Sequence, residues 1–216
     1  MTVLTARRTR WGLAAAGGAA AAAWWLGDRA PYPYAQRTLL DIPLPYLTCG
    51  RLDEVLRPRP GERILEIGPG TGLQSLHVAP QLGPAGRLDV VDIQPEMLDH
   101  VTRRAEERGI ANLTATEADA RTLPFGEATF DAVYLVTALG EIPEPDRVLR
   151  EAARVIAPTG RVVVGEFFDR HWIPFGRLHR LADACGLHLE TRHGPTLAYL
   201  SRFRPCPRPG TAVSPV

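Results

Sequence analysis

The sequence predicts an α/β fold, an open and mostly parallel sheet flanked by helices and finished by a terminal antiparallel strand. Three observations carry this. From Glu62 onward, short apolar runs alternate with amphipathic stretches of helical period, the pattern of strand and helix units layered into one sheet. The first run, "ILEIGPGTG" from Ile64 to Gly72, passes directly from a strand into a glycine-rich turn. A later run, "RVVVGEFF" from Arg161 to Phe168, is apolar on both faces, as a strand in the middle of a parallel sheet must be.

The elements follow in order. Between Asp28 and Pro60 paired prolines forbid one long helix, but Cys49 to Leu56 can form a short one before "RPRPG" breaks it. Arg63 to Ile67 is the first strand and Leu73 to Leu82 the first helix of the sheet unit. Leu88 to Val91 is a second strand ending at Asp92. The next helix carries Pro95 in its first turn, Glu96 and Asp99 toward its positive end, and Arg103, Arg104 and Arg108 toward its negative end before Gly109. Leu113 to Thr116 is a weaker third strand and Ala132 to Val136 a buried fourth. Asp146 to Ile156 is an amphipathic helix stopped by Pro158 and Gly160, followed by the fifth strand. Pro174 to Cys185 then forms a helix, and Leu187 to Thr191 and Leu197 to Phe203 form the terminal pair across "RHGP".

With 216 residues the chain has room for one well-buried domain with an extension: 1–45 as an N-terminal extension, 46–205 as the domain and 206–216 as a tail. Twenty-five basic and 24 acidic residues leave a net charge of +1, which lacks the surplus expected of a nucleic-acid binder. The partner expected is a small molecule or a lipid-like one. Cys49, Cys185 and Cys206 are far apart and odd in number, so neither a disulfide framework nor a metal site is expected.

At the N-terminus Arg7, Arg8 and Arg10 precede an uncharged run from Trp11 to Leu26. As a helix this run measures about 24 Å, short of a hydrocarbon core of roughly 30 Å. An interfacial or domain-packed helix is the first reading, an anchor the second and a leader the third. A cytoplasmic location follows, at the inner face of a membrane if the helix lies on one; homo-oligomerisation stays open.

The glycine turn falls at the carboxyl edge of the sheet, where open α/β folds bind ligands. Gly68 and Gly70 admit a ligand that a β-carbon would exclude, and the helix after them presents unpaired N–H groups. The lysine ending of a nucleotide-triphosphate loop is missing, and Gly72 comes one residue early for the dinucleotide pattern. Asp92, 24 residues after Gly68, can accept both hydroxyls of a ribose. Asp119 can accept from an adenine amino group, with Ala118 and Ala120 small enough to admit the ring.

Four pieces in this order, "ILEIGPGTG", "LDVVDIQPEML", "EADARTLPF" and "FDAVYLVTALGEIPEPDRVLREAARVIAPTGRVVVGEF", resemble the class I S-adenosylmethionine-dependent methyltransferases, especially the ubiquinone/menaquinone-biosynthesis type. The resemblance runs from Tyr46 to Glu166 and implies an open Rossmann-like methyltransferase sheet with S-adenosyl-L-methionine as cofactor. It implies that Glu66 and the loop Gly68, Pro69, Gly70, Thr71 and Gly72 hold the amino-acid end of the cofactor and that Asp92 holds the ribose. It further implies that Ile93 flanks the adenine, that Asp119 meets its amino group and that Thr137 approaches the reacting sulfonium.

The expected activity is methyl transfer to a small hydrophobic, lipid-like or aromatic acceptor. If the acceptor must lose a proton, His171 is the first candidate base, with Glu141, Tyr134 and Asp169 behind it. Each has a plainer reading: His171 as a surface side chain beside Trp172, Glu141 as a polar residue preparing the next helix. Tyr32, Tyr34, Tyr46, Phe167, Phe168, Trp172 and Phe175 offer an apolar wall for the acceptor. Only Phe167 to Cys185 is available to cover substrate after the fifth strand, less than in quinone-methylating relatives. The rival expectations are a nicotinamide-dependent oxidoreductase, disfavoured by the early third glycine, and a noncatalytic cofactor-binding protein.

Overall fold

A computed structural model describes residues 32–41 and 44–206. The expected N-terminal run from Trp11 to Leu26 lies outside the described residues. Among those described, no helix is long and apolar enough to cross a membrane.

A 3-10 segment, Tyr34–Asp41, precedes α1 (Cys49–Leu56), whose N-cap Thr48 accepts from the amide of Arg51. Seven strands form one sheet: β1 (Arg63–Ile67), β2 (Arg87–Asp92), β3 (Leu113–Glu117), β4 (Phe130–Val136), β5 (Ile156–Phe167), β6 (Leu187–His193) and β7 (Ala198–Pro205). Their order across the sheet is β3-β2-β1-β4-β5-β7-β6. β1 to β5 pair in parallel, and β7 runs antiparallel to both β5 and β6. The order reverses direction at β1, so the ends of β1 and β4 open a crevice, the switch point at which such sheets bind ligands.

Helices cover both faces. α2 (Ser75–Val78), α3 (Pro95–Glu107), α4 (Pro145–Val155) and α5 (Phe175–Ala184) connect the strands. Strand alternation divides the core into two layers. Leu65 and Ile67 of β1 join Leu135, Val164, Val148 and Leu178 in one. Ile64 joins Leu52, Val90, Tyr134 and Leu200 in the other.

Two elements depart from the sequence expectation. The helix expected over Leu73–Leu82 is α-helical only through Val78 and finishes as a 3-10 turn, Ala79–Leu82, because Pro80 removes the N–H that a longer α-helix would need. β5 begins five residues early, at Ile156, and passes Pro158 beside a register shift between Phe130 and Ala132 of β4. An interrupted ladder tolerates the missing proline donor.

Candidate functional site

β1 delivers the glycine turn to the carboxyl edge. Gly68 and Gly70 have φ of 71° and 53°, left-handed values that L side chains resist. A β-carbon at Gly68 would lie 2.6 Å from the Ala138 β-carbon, and one at Gly70 would lie 3.2 Å from Leu40. Gly68 and Gly70 thus have little or no room for a side chain, while Thr71 between Gly70 and Gly72 keeps a buried one. Beneath it, Glu66 is buried and accepts from the Ser75 hydroxyl at the start of α2. Burial pushes Glu66 up to about 7, against the lowering effect of the Ser75 and Tyr134 hydroxyls.

Asp92 ends β2, and its Oδ1 accepts from the Gln94 amide at 2.9 Å. Among the described residues no arginine or histidine pairs with it. Burial raises its carboxyl, partly offset by the amides of Gln94 and Ile93. Ile93 beside it is 55% exposed, an uncovered apolar surface at the place expected for an adenine ring. Asp119 is differently placed. It forms an ion pair with Arg121 at 2.6 Å, both carboxylate oxygens accept from that guanidinium, and Arg121 holds it below the usual carboxylate range. Ala120 is buried and Ala118 half-buried beside it.

Thr137 follows β4 with φ of 55°, which for a β-branched residue is strained by about 1–2 kcal/mol. Its amide donates to Gly165 of β5 at 2.8 Å and its hydroxyl to the Val136 carbonyl at 2.7 Å. The strain falls at the sheet edge where the sequence placed the reacting group.

The four base candidates separate. Tyr134 is fully buried, its hydroxyl close to Glu66 yet without hydrogen-bond geometry, so it lies under the glycine turn instead of facing an acceptor. His171 Nε2 accepts from Arg170 Nε at 3.0 Å, which occupies that lone pair. Glu141, in a 3-10 turn after β4 (Leu139–Glu141), accepts from the Tyr32 amide at 2.9 Å. Burial pushes it up to about 7; the Tyr32 amide opposes this and Asp169 adds to it. Asp169 accepts from the His171 amide at 2.7 Å and is raised by burial.

The structure adds residues that the sequence reading passed over. Glu166, in the apolar β5, accepts from the Ile173 amide through Oε2, while its buried Oε1 has no partner. Burial, reinforced by Asp169 and Glu141, pushes it up to about 8. A lone acid inside "VVVGEFF" was the available signal. The Trp172 indole N–H is also buried without a partner.

Residues 32–41 form a strap over this edge. The Tyr32 amide binds Glu141, and its carbonyl accepts from Gln94 at 3.0 Å, bridging the ends of β4 and β2. Asp41 then accepts from the Thr71 hydroxyl at 2.8 Å and from Arg104 at 3.0 Å, next to the glycine turn. Of the expected acceptor wall, Phe168 and Trp172 stand at the end of β5, with ring centroids 5.3 Å apart. Phe175 instead packs on Tyr199 and His179, Tyr34 on Arg37 and His100, and Tyr46 on Arg51.

Comparison with known proteins agrees with this geometry. Residues 64–160 match the family described as "Methyltransferase domain". The ubiquinone/menaquinone biosynthesis C-methyltransferase UbiE of Cellvibrio japonicus is 38% identical over 114 residues, which cover 52% of this chain and 46% of that protein. Its counterpart from Ruegeria sp. is 34% identical over 144 residues, covering 66% and 56%. The chain thus spans about half the length of these curated relatives. Among solved structures, a SAM-dependent methyltransferase from Aquifex aeolicus superposes with a TM-score of 0.69 at 16% identity, covering 80% of this chain and 98% of that one. The [4+2]-cyclase SpnF superposes at 0.66 with 20% identity, covering 83% and 84%. These likenesses concern the fold alone, and the second shows that one fold hosts more than one chemistry. Residues 64–160, from β1 into the start of β5, thus match a methyltransferase domain, and the chain is related to the ubiquinone/menaquinone C-methyltransferases over about half of their length.

Proposed function

We propose that the protein transfers a methyl group from S-adenosyl-L-methionine to a small hydrophobic, aromatic or lipid-like acceptor. The observation that carries this is the pairing of the glycine turn with an Asp92 that no arginine or histidine among the described residues neutralises, at the switch point of the sheet. Bound there, S-adenosylmethionine supplies a methyl carbon on a cationic sulfur: the nucleophile bonds to carbon as the carbon–sulfur bond breaks and its electron pair stays on sulfur.

The chain's own residues hold, orient and exclude water. Asp92 would accept from the ribose hydroxyls, Ile93 would cover one adenine face, and Glu66 with the Gly68–Gly72 amides would fix the amino-acid end. Asp119 can reach an adenine amino group only while sharing its oxygens with Arg121, so its part is secondary. Phe168 and Trp172 offer the acceptor an apolar wall, and the Trp172 N–H can donate to an acceptor oxygen. Glu141 is the favoured proton acceptor, because its carboxyl is buried, poised near neutrality and carried by the turn that follows β4. The names of the relatives support an aromatic or quinone-like acceptor. Peripheral membrane contact through residues 11–26, on the cytoplasmic face, would suit such a substrate; liposome sedimentation of the chain with and without residues 1–28 tests it.

The deciding experiment is calorimetry against S-adenosylmethionine and NADH, followed by labelled-methyl transfer into a lipid and metabolite extract with identification of the product by mass spectrometry. Sulfonium binding with a labelled product is expected. NADH binding alone would favour an oxidoreductase, and cofactor binding with no labelled product would favour the noncatalytic reading.

A further inference from the structure

The opposite, amino-terminal edge of the sheet carries a second concavity. It is a pocket of about 200 Å³, room for roughly six or seven waters at about 30 Å³ each. Five arginines line it: Arg57 and Arg59 between α1 and β1, Arg161 at β5, and Arg202 and Arg204 on β7. Glu62 and Asp131 line it as well, and Glu190 reaches Arg202 and Arg204 from β6. Five guanidiniums therefore face three carboxylates, an excess of two positive charges.

Part of this arginine set is structural. Arg161 is clasped by Glu62 at 2.6 and 2.8 Å and donates to the Leu56 and Arg57 carbonyls. Arg202 donates to the Val55 carbonyl at 3.0 Å, so both guanidiniums satisfy the carbonyl end of α1. Arg204 donates to Glu190 and to the Thr159 and Gly160 carbonyls. The remainder is not accounted for by the fold. Arg59 is exposed, and its guanidinium donates no hydrogen bond among the described residues. Among the described residues the Arg57 guanidinium donates only a long 3.3 Å bond, to the Glu54 carbonyl.

Arg202 is 3% exposed, its Nε lies 2.8 Å from Glu190 Oε2 in an ion pair, and its guanidinium is therefore held between Glu190 and the Val55 carbonyl. Burial holds this arginine below its usual range, and Arg57 and Arg204 add to the effect against the pull of Glu190. The field in the pocket is therefore positive, and arginine forks match the oxygens of a tetrahedral oxyanion.

We infer that this pocket binds a phosphate-type oxyanion, as free phosphate or as the phosphate of a larger molecule, with the Arg57 and Arg59 guanidiniums as its donors and Arg202 and Arg204 adding positive charge behind them. The site lies at the opposite end of the strands from the glycine turn and does not depend on the methyl-transfer reading.

Thermal shift and calorimetry of the full chain with sodium phosphate, against sodium chloride at matched ionic strength, test the inference. Vesicles of phosphatidylglycerol, against phosphatidylcholine, supply a second arm. Saturable stabilisation by phosphate alone, with half-saturation raised at least about tenfold in Arg59→Ala and in Arg57→Gln, supports a soluble ligand. No saturation by phosphate, together with retention on phosphatidylglycerol that both variants lose, supports a lipid phosphate as its source. Phosphate effects equal to chloride together with no preferential retention on phosphatidylglycerol, or binding in either arm unaltered by both substitutions, would overturn it.

Discussion

Among the described residues Asp92 has only backbone donors, and a ribose would replace water on its remaining lone pairs. Asp92→Ala should therefore weaken S-adenosylmethionine by about 1.5–3 kcal/mol, or roughly ten- to a hundredfold, in a titration of the folded variant. Unchanged affinity would remove Asp92 from the site. Glu141 makes a prediction in pH. With its carboxyl at about 7, only the carboxylate can take a proton, so the methyl-transfer rate should rise as pH passes through 7. Glu141→Gln should abolish that limb and lower the rate by about 10²-fold or more, whereas a full profile in the variant would return the role to His171 or Asp169. Asp92 and the glycine turn were legible in the sequence because spacing along a strand and turn fixes position. The order of His171 and Glu141 as base candidates was not legible, because it turns on Arg170 donating to the imidazole and on burial of the carboxyl.

The glycine turn acts as an element. Gly68→Ala would force a β-carbon against Ala138 in a left-handed backbone, and the loss should be about 1–3 kcal/mol in urea unfolding, with cofactor affinity falling alongside. A variant as stable as the parent would mean that the contact relaxes freely. The strap is the part of the site that composition could not reveal. The prolines between Asp28 and Pro60 exclude one long helix but do not foretell that Tyr32 bridges Glu141 and Gln94, or that Asp41 binds Thr71 and Arg104. Asp41 is largely exposed, so Asp41→Ala should alter stability by at most about 1 kcal/mol. Its effect belongs in kinetics: stopped-flow measurement should show faster cofactor release, and an unaltered rate would make the strap a passive cover.

Across the whole molecule, Glu66, Glu141 and Glu166 all hold their protons more tightly folded than unfolded. For Glu166 the rise is from 4.5 to about 8, so the folded chain binds the extra proton between those values and stability falls as pH climbs through that window. The slope is at most about 1.4 kcal/mol per pH unit for each such group. Glu166→Gln should flatten the decline in melting temperature between pH 5.5 and 8.5; an equal slope in the variant would place the titration elsewhere. The alternating pattern made the parallel sheet and its order of elements readable from sequence, since burial on one or both faces leaves a period in the residues. The early start of β5 and the shortened α2 were not, because both turn on how one proline meets its neighbours.

The place of β7 between β5 and β6 has a consequence for biosynthesis. β6 pairs only with β7, and the outer edge of β5 stays unpaired until Ala198–Pro205 arrives. A nascent chain paused on the ribosome before that point would display a long, apolar and sticky edge, an invitation to aggregation. Among the described residues β7 is therefore a keystone, and the yield of native protein should depend on how promptly it follows β5.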